Sequence, residues 1–252
     1  GPDGATHQAL EDIAIMRVLP NMTVIYPCDI HEARKATMAA AAHVGPVYIR
    51  LARDKSPVIT NADTPFEIGK AQIVRKGRDC TIIASGPLLF EALLAAEILA
   101  GNKKALSVVL SRYPKVTANL ENVMSSYGKH HNAVQLKAIW SPKKIQSMVQ
   151  KIGKRDIEVI NCPTIKPLDS KTILTSLKKT KCAITVEEHQ IHGGLFGAIS
   201  ELTAQHFPVA ISPIGMPDMF GESGDTLELQ EKYGMTAPFI IQSLLWASLR
   251  GV

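Results

Sequence analysis

The segment "MTVIYPCDIHEARKATMAAAAHVGPVYIRLAR" constrains the fold more than any other part of the chain. "MTVIYP" is a short apolar run containing β-branched residues, as a buried strand requires. "DIHEARKATMAAAAHVG" is rich in Ala, opens on Asp29 as a helix cap and closes on Gly45, a residue that readily ends a helix. "PVYIRLAR" is a second strand. Two strands joined through a helix of this length predict a parallel βαβ unit.

The same alternation continues downstream. "FEIGKAQIVRKG" reads as a strand and turn, "DCTIIASG" as a buried strand, and "PLLFEALLAAEILA" as a helix with Pro87 near its start. "IEVINC", "CAITVEEH" and "VAISPIGM" read as strands. "SKTILTSLKKT", "GGLFGAISELTAQH", the end of "FGESGDTLELQEKYG" with Asp225 as cap, and "TAPFIIQSLLWASLR" read as helices. Alternating strands and helices predict an α/β fold with a mostly parallel sheet. Upstream, "QALEDIAIMRVL" sets Leu10, Ile13, Ala14, Arg17 and Val18 at helical spacing, with Thr6 as candidate N-cap and Pro20 as stop. Between the first unit and the rest, "DKSPVITNADTP" is polar, aperiodic and holds two Pro, which predicts an interdomain linker.

Residues 101–150 break the rhythm. They show no sustained period of 2 or 3.6 and hold seven Lys and one Arg against one Glu, a net +7 where the whole chain carries +5. Two readings stand: a solvated, partly disordered surface insertion, or translated non-coding sequence. The charge belongs to this segment rather than to a groove, and aromatics do not interleave with it, so nucleic acid is not an expected partner. Glu interrupts the longest apolar runs, so no membrane span is expected. Cys28, Cys80, Cys162 and Cys182 form no CxxC pair, which favours buried, reduced thiols in a cytosolic protein.

The opening "GPDGATHQ" and the stretch "EEHQIHGG" carry the candidate chemistry. His7 reads from local sequence alone as a capping histidine or a substrate contact, and Asp3 as a turn residue or a hydroxyl ligand. Arg53 ends a parallel strand, where α/β ligand sites gather. Arg50 lies on the opposite strand face and reads as an ion-pair residue. Glu187, Glu188, His189 and His192 span a strand end and a helix start, which favours a structural or subunit-interface role over a metal site. "GGLFG" reads as close backbone packing rather than a phosphate cradle.

In order, "DGATHQALEDIAIMRVLPNMTVIYPCD", "GPVYIRLAR", "CTIIASG", "INCPTIKPLD", "TVEEHQIHGGLFGAISE" and "FGESGDTLELQEKYG" resemble transketolase-type thiamine-diphosphate enzymes. The resemblance covers roughly residues 1–100 and 151–252. It implies part of a pyrimidine-binding domain over 1–57, a linker over 58–65, and a transketolase C-terminal α/β domain over 66–252, interrupted at about 101–150. It implies substrate contacts at Asp3 (an acceptor hydroxyl), His7 (sugar hydroxyls) and Arg53 (the phosphate). The implied reaction transfers a two-carbon ketol unit between sugar phosphates, with thiamine diphosphate and Mg²⁺ as cofactors. In that family the metal site uses a GDG motif, which this sequence lacks, and the catalytic Glu precedes the "DGATH" loop. The resemblance therefore implies a chain that begins partway through a domain and is inactive alone. Its expected partner is a diphosphate-binding N-terminal half or subunit, within a homo- or hetero-oligomer. The 1-deoxyxylulose-5-phosphate synthases share the "DG.TH" loop and are the nearest rival. A non-catalytic or degenerate interaction subunit is the rival of another class.

Overall fold

The computed structural model describes residues 4–112 and 142–249. Asp3 and the middle of the 101–150 segment lie outside the described residues. The first βαβ unit forms as its sequence predicts. Strand β1 (Thr23–Ile25) runs parallel to β2 (Val47–Ile49) through helix α2 (Ile30–Ala42). Asp29 caps α2, accepting from the Glu32 amide at 3.0 Å. The same carboxylate accepts the Ile59 amide and the Thr60 hydroxyl and amide, while Lys35 donates to Asn61 and Thr64 carbonyls. The expected linker is thus irregular in backbone but tied to α2 and its cap through residues 59–64.

A larger sheet holds β3 (Gln72–Arg75), β5 (Ile157–Asn161), β4 (Cys80–Ala84), β7 (Cys182–Gln190) and β8 (Ala210–Met216) in that spatial order. β3 pairs antiparallel with β5, and the other neighbours are parallel. Every residue of β4 and β5 is buried, as expected of central parallel strands covered on both faces. Side-chain alternation divides the interior. Ile82, Val159, Ile184 and Val186 pack with Ala92, Ala95 and Leu99 of α3 (Leu89–Leu99) and with Ile240 and Ile241 of the C-terminal helix (Ala237–Leu249). Ile83, Ile160 and Ala183 pack on the other side with Ile173 and Leu177 of Ser170–Thr180 and with Leu195 and Ile199 of Leu195–His206. Val24 and Tyr26 join this second cluster, so the two sheets share one core face. Burying each such Ile or Leu stabilises the fold by about 1.5–3 kcal/mol.

Three expectations need correction. Thr6 caps no long helix: Ala5–His7 form a 3-10 turn, and α1 spans Asp12–Val18 with Glu11 at its cap. Gln8, extended at the end of that turn, breaks the helical spacing until Glu11. Second, the flanks of the 101–150 segment are helices, α4 (Lys103–Arg112) and α5 (Pro142–Ile152). Ala105 and Val109 of α4 and Ile145, Met148 and Ile152 of α5 are buried in the core. Partly buried Leu106, Leu110 and Val149 widen these stripes, but the helices are only 10 and 11 residues long and Lys interrupts their pattern. Third, the short strand β6 (Thr164–Lys166) pairs antiparallel with β1, so the later part of the chain completes the sheet begun by the first. Its three residues carry no strand pattern of their own. The remaining helices are α6 (Ser170–Thr180), α7 (Leu195–His206), α8 (Thr226–Lys232) and α9 (Ala237–Leu249). Among the described residues no helix is long and apolar enough to cross a membrane.

Candidate active site

A cavity of about 900 Å³ opens where β1 and β2 end, against the C-terminal ends of β7 and β8 and the start of α3. His7 and Arg53 both line it. His7 is exposed on the 3-10 turn, with its Nδ1 3.1 Å from the Thr6 hydroxyl and its amide donating to the Gly4 carbonyl at 2.9 Å. Arg53 is exposed on the segment leaving β2. Asp3 lies outside the described residues.

Arg50 holds this corner together. Its guanidinium pairs with Asp12 at 3.3 Å, donates to the Ala9 carbonyl at 2.7 Å and to the Glu188 carbonyl, and stacks 4.5 Å from the Tyr26 ring centre. It thereby joins β2, α1, the residue two places after His7, and β7. Burial opposes the Arg50 charge, but Tyr26, Asp12 and Glu188 more than offset it and hold its pKa above the usual value. Tyr48 donates to Asp12 Oδ2 at 2.6 Å. Burial, then this bond, pushes the Tyr48 phenol up to about 12. The ion-pair role expected for Arg50 is present, but the residue also organises the loop, which its sequence position did not reveal.

Two glycine-bearing turns interlock at the cavity mouth. Gln8 donates to the Glu222 carbonyl at 2.8 Å, and a Cβ on Gly221 would stand 1.7 Å from Gln8 Oε1. Thr226, at the start of α8, donates to Asp54 beyond β2. Asp225 caps α8 as expected, accepting from the Leu227 amide at 3.0 Å. "GPDGATHQ" and "FGESGD" are therefore neighbours, although 214 residues separate Gln8 from Glu222.

The "EEHQIHGG" run divides by strand alternation. Glu188 faces the cavity, with its carboxylate 3.3 Å from the Tyr26 hydroxyl and 3.5 Å from Gln230 Nε2. Glu187 points into the protein and accepts the Leu195 and Phe196 amides at 2.6 and 2.8 Å, filling the N-terminus of α7. Burial raises its pKa to about 7 against the pull of those two amides. Its carboxylate leaves the Gly-rich turn no room for a phosphate. A Cβ on Gly194 would stand 2.1 Å from Glu187 Oε2, and one on Gly193 2.6 Å from Ala14 Cβ, so close packing explains both glycines. His189 is buried, accepts the Ala14 amide at Nε2 (3.3 Å) and bonds the Gln190 carbonyl through Nδ1 (2.7 Å). Burial lowers its pKa, which favours the neutral ring this bonding requires. His192 is exposed. Sequence reasoning placed all four in one structural group and missed the outward turn of Glu188, which the two-residue period of a strand could have revealed.

The arrangement can bind a polar, anionic small molecule. Arg53 and Lys55 supply positive charge, His7 supplies ring nitrogens, and Glu188 with Gln230 supplies acceptors and a donor deeper in.

Comparison with known proteins agrees with this architecture. Residues 1–58 match the transketolase pyrimidine binding domain, and residues 69–138 and 144–240 match the transketolase C-terminal domain. The second match runs through much of the basic segment. The chain is 35% identical over 241 residues to a 6-deoxy-6-sulfo-D-fructose transketolase subunit of Clostridium sp. (strain MSTE9), covering 96% of this chain and 59% of that protein. It is 30% identical to one of the apulose-4-phosphate transketolase subunits of Phocaeicola vulgatus, covering 97% and 62%. A 1-deoxy-D-xylulose-5-phosphate synthase of Pelotomaculum thermopropionicum is 28% identical, covering 97% and 31%. Among solved structures, a split-gene transketolase described as an inactive β4 tetramer superposes with a TM-score of 0.71 at 30% identity, covering 96% of this chain and 62% of that one. The chain thus spans about three fifths of the transketolase subunits it matches. With both domain models matched in order across most of its length, the chain belongs to the transketolase family.

Proposed function

We propose that this chain supplies the substrate-contacting loop and C-terminal domain of an enzyme that transfers a two-carbon ketol unit between sugar phosphates. The observation that carries the reading is one cavity lined by both His7 and Arg53, with Arg50 bracing the loop between them. Arg53 binds the phosphate of the sugar. His7 hydrogen-bonds the sugar hydroxyls near the reacting carbons and orients them. Asp3 contacts an acceptor hydroxyl. Residues 1–57 act as the pyrimidine-domain part, 58–65 as the connection and 66–252 as the C-terminal domain.

Enzymes of this family depend on thiamine diphosphate, which supplies the carbanion that adds to a carbonyl. The described residues do not fit a diphosphate and Mg²⁺ site: among them no three metal-ligating side chains converge, and Glu187 already takes the amides at the start of α7. The reading therefore assigns that site to a diphosphate-binding half or partner subunit, with the assembled enzyme an oligomer. Mixing the purified chain with such a subunit, thiamine diphosphate and Mg²⁺ tests it. Ketol transfer from a ketose phosphate to an aldose phosphate should require both proteins. Turnover by this chain alone would overturn the reading. The match to 1-deoxy-D-xylulose-5-phosphate synthase supports a second reading, in which pyruvate is the donor. Product formation from pyruvate and glyceraldehyde phosphate, with no reaction of ketose phosphates, would favour it.

A further inference from the structure

Cys80 and Cys182 begin β4 and β7. These strands pair in parallel with Thr81 opposite Ala183, which sets the two cysteines beside each other at the same end of the ladder. Alternation turns both to one face, with Ile82, Ile184 and Val186. Their sulfurs lie 2.6 Å apart, and the residues are 3% and 7% exposed. Neighbouring strands stand about 4.8 Å apart, inside the Cα separation of about 4.4–6.8 Å that a cystine needs. The backbone therefore requires no rearrangement for a bond between them.

We propose that Cys80 and Cys182 form a modification site, a dithiol that a peroxide oxidises to an intramolecular cystine joining β4 to β7. The Cys182 thiolate attacks one oxygen of hydrogen peroxide. The O–O bond breaks, leaving a sulfenic acid on Cys182 and hydroxide, which takes up a proton as water. The Cys80 sulfur then attacks the Cys182 sulfur. The S–O bond breaks, and the departing hydroxyl takes the Cys80 proton and leaves as a second water. Two thiols lose two electrons and one peroxide is reduced to two waters; the proton released when the first thiolate formed balances the sum. A dithiol reductant reverses the change by exchange.

Cys182 is the attacking sulfur because it is the more exposed of the two. Its hydrogen bond with Cys80 also lowers its pKa while raising that of Cys80. Cys28 and Cys162 do not share this arrangement. Cys28 contacts Asn161 Nδ2 at 3.9 Å, Cys162 donates to the Thr164 carbonyl at 3.4 Å, and burial pushes both thiols up, Cys162 to about 12. The pair sits at the N-terminal ends of β4 and β7, whereas the cavity lies at the opposite ends of these strands. The cross-link closes a span of 102 residues and so restrains the chain without touching the cavity.

The test exposes the full native chain to hydrogen peroxide, blocks remaining thiols with an alkylating reagent, and digests without reduction for mass spectrometry. The expected product is one linked Cys80–Cys182 peptide lighter by two hydrogens, with Cys28 and Cys162 alkylated. The linked protein should melt at a higher temperature than the reduced one, and dithiothreitol should restore four free thiols. In Cys80→Ser the Cys182 sulfur should instead progress to sulfinic acid. Four alkylated thiols after peroxide treatment, or over-oxidation of Cys182 in the unsubstituted chain without a linked peptide, would overturn the proposal. So would linkage of Cys80 or Cys182 to another cysteine in its place.

Discussion

Replacing Arg50 by Met keeps an unbranched stem over the Tyr26 ring but removes the guanidinium. The loss is large because each partner is tied to a different element. The Ala9 and Glu188 carbonyls lose their donor, and Asp12 keeps only the Tyr48 hydroxyl. Asp12 Oδ1 is already buried without a hydrogen-bond partner, so the Tyr48 bond alone remains against the loss of the guanidinium. The Arg50 and Asp12 side chains are each 12% exposed, close to the buried limit. Removing one member of a buried pair costs about 3–5 kcal/mol, and the residual exposure favours the lower end, about 3 kcal/mol. For a chain of this size that is a fall in Tm of about 6–12 °C. Urea unfolding of the purified chain measures it, and a cycle with Asp12→Asn isolates the pair. The double variant should be more stable than the sum of single losses predicts, by about 1–3 kcal/mol. A loss below about 1 kcal/mol, the range of exposed ion pairs, with no coupling in the cycle, would refute the bracing role.

Other consequences are as specific. Glu187 and Glu231 have folded pKa values of about 7, raised by burial from 4.5. The folded state thus keeps protons that the unfolded chain releases between about pH 4.5 and 7, and stability should fall as pH rises through that window. Unfolding free energies from pH 5 to 8 check this, and Glu187→Gln should flatten part of the slope; an unchanged slope would count against it. Gly193→Ala meets Ala14 Cβ at 2.6 Å with φ at +78°, and should cost about 2–5 kcal/mol in the same assay. Arg53→Ala should leave the melting temperature within about 2 °C, in line with an exposed position, while raising KM for the phosphorylated substrate in the assembled enzyme.

Much of the fold is written in local pattern. β1, α2 and β2 follow from apolar run, Asp29 cap and Ala-rich helix, and β4 and the first half of β7 from short runs rich in Ile and Ala. What is hidden depends on partners distant in sequence. β6 exists because β1 offers an edge, and its three residues announce nothing. α4 and α5 bury short apolar faces that Lys-rich surroundings dilute. The same holds for the cavity. His7, Asp3 and Arg53 stand in quotable motifs, so resemblance can propose them. Glu188, Gln230 and Tyr26 reach the cavity through the packing of one sheet against another, and Gln8 meets Glu222 across 214 residues. Arg50 shows the limit most clearly: its alternation on the strand predicts an ion pair, but only the fold shows that the same side chain also holds the loop that follows His7.

The central claim is that the rim carrying His7 and Arg53 binds the substrate of a two-carbon transfer. The most direct measurement is steady-state ketol transfer by this chain assembled with a diphosphate-binding subunit, comparing the unsubstituted chain with His7→Ala and Arg53→Ala. The account predicts turnover only with both proteins present, a loss of kcat/KM of about tenfold or more in each variant, corresponding to roughly 1.4 kcal/mol or more of lost transition-state binding, and unchanged assembly. Full activity in both variants, or turnover by this chain without a partner, would contradict it.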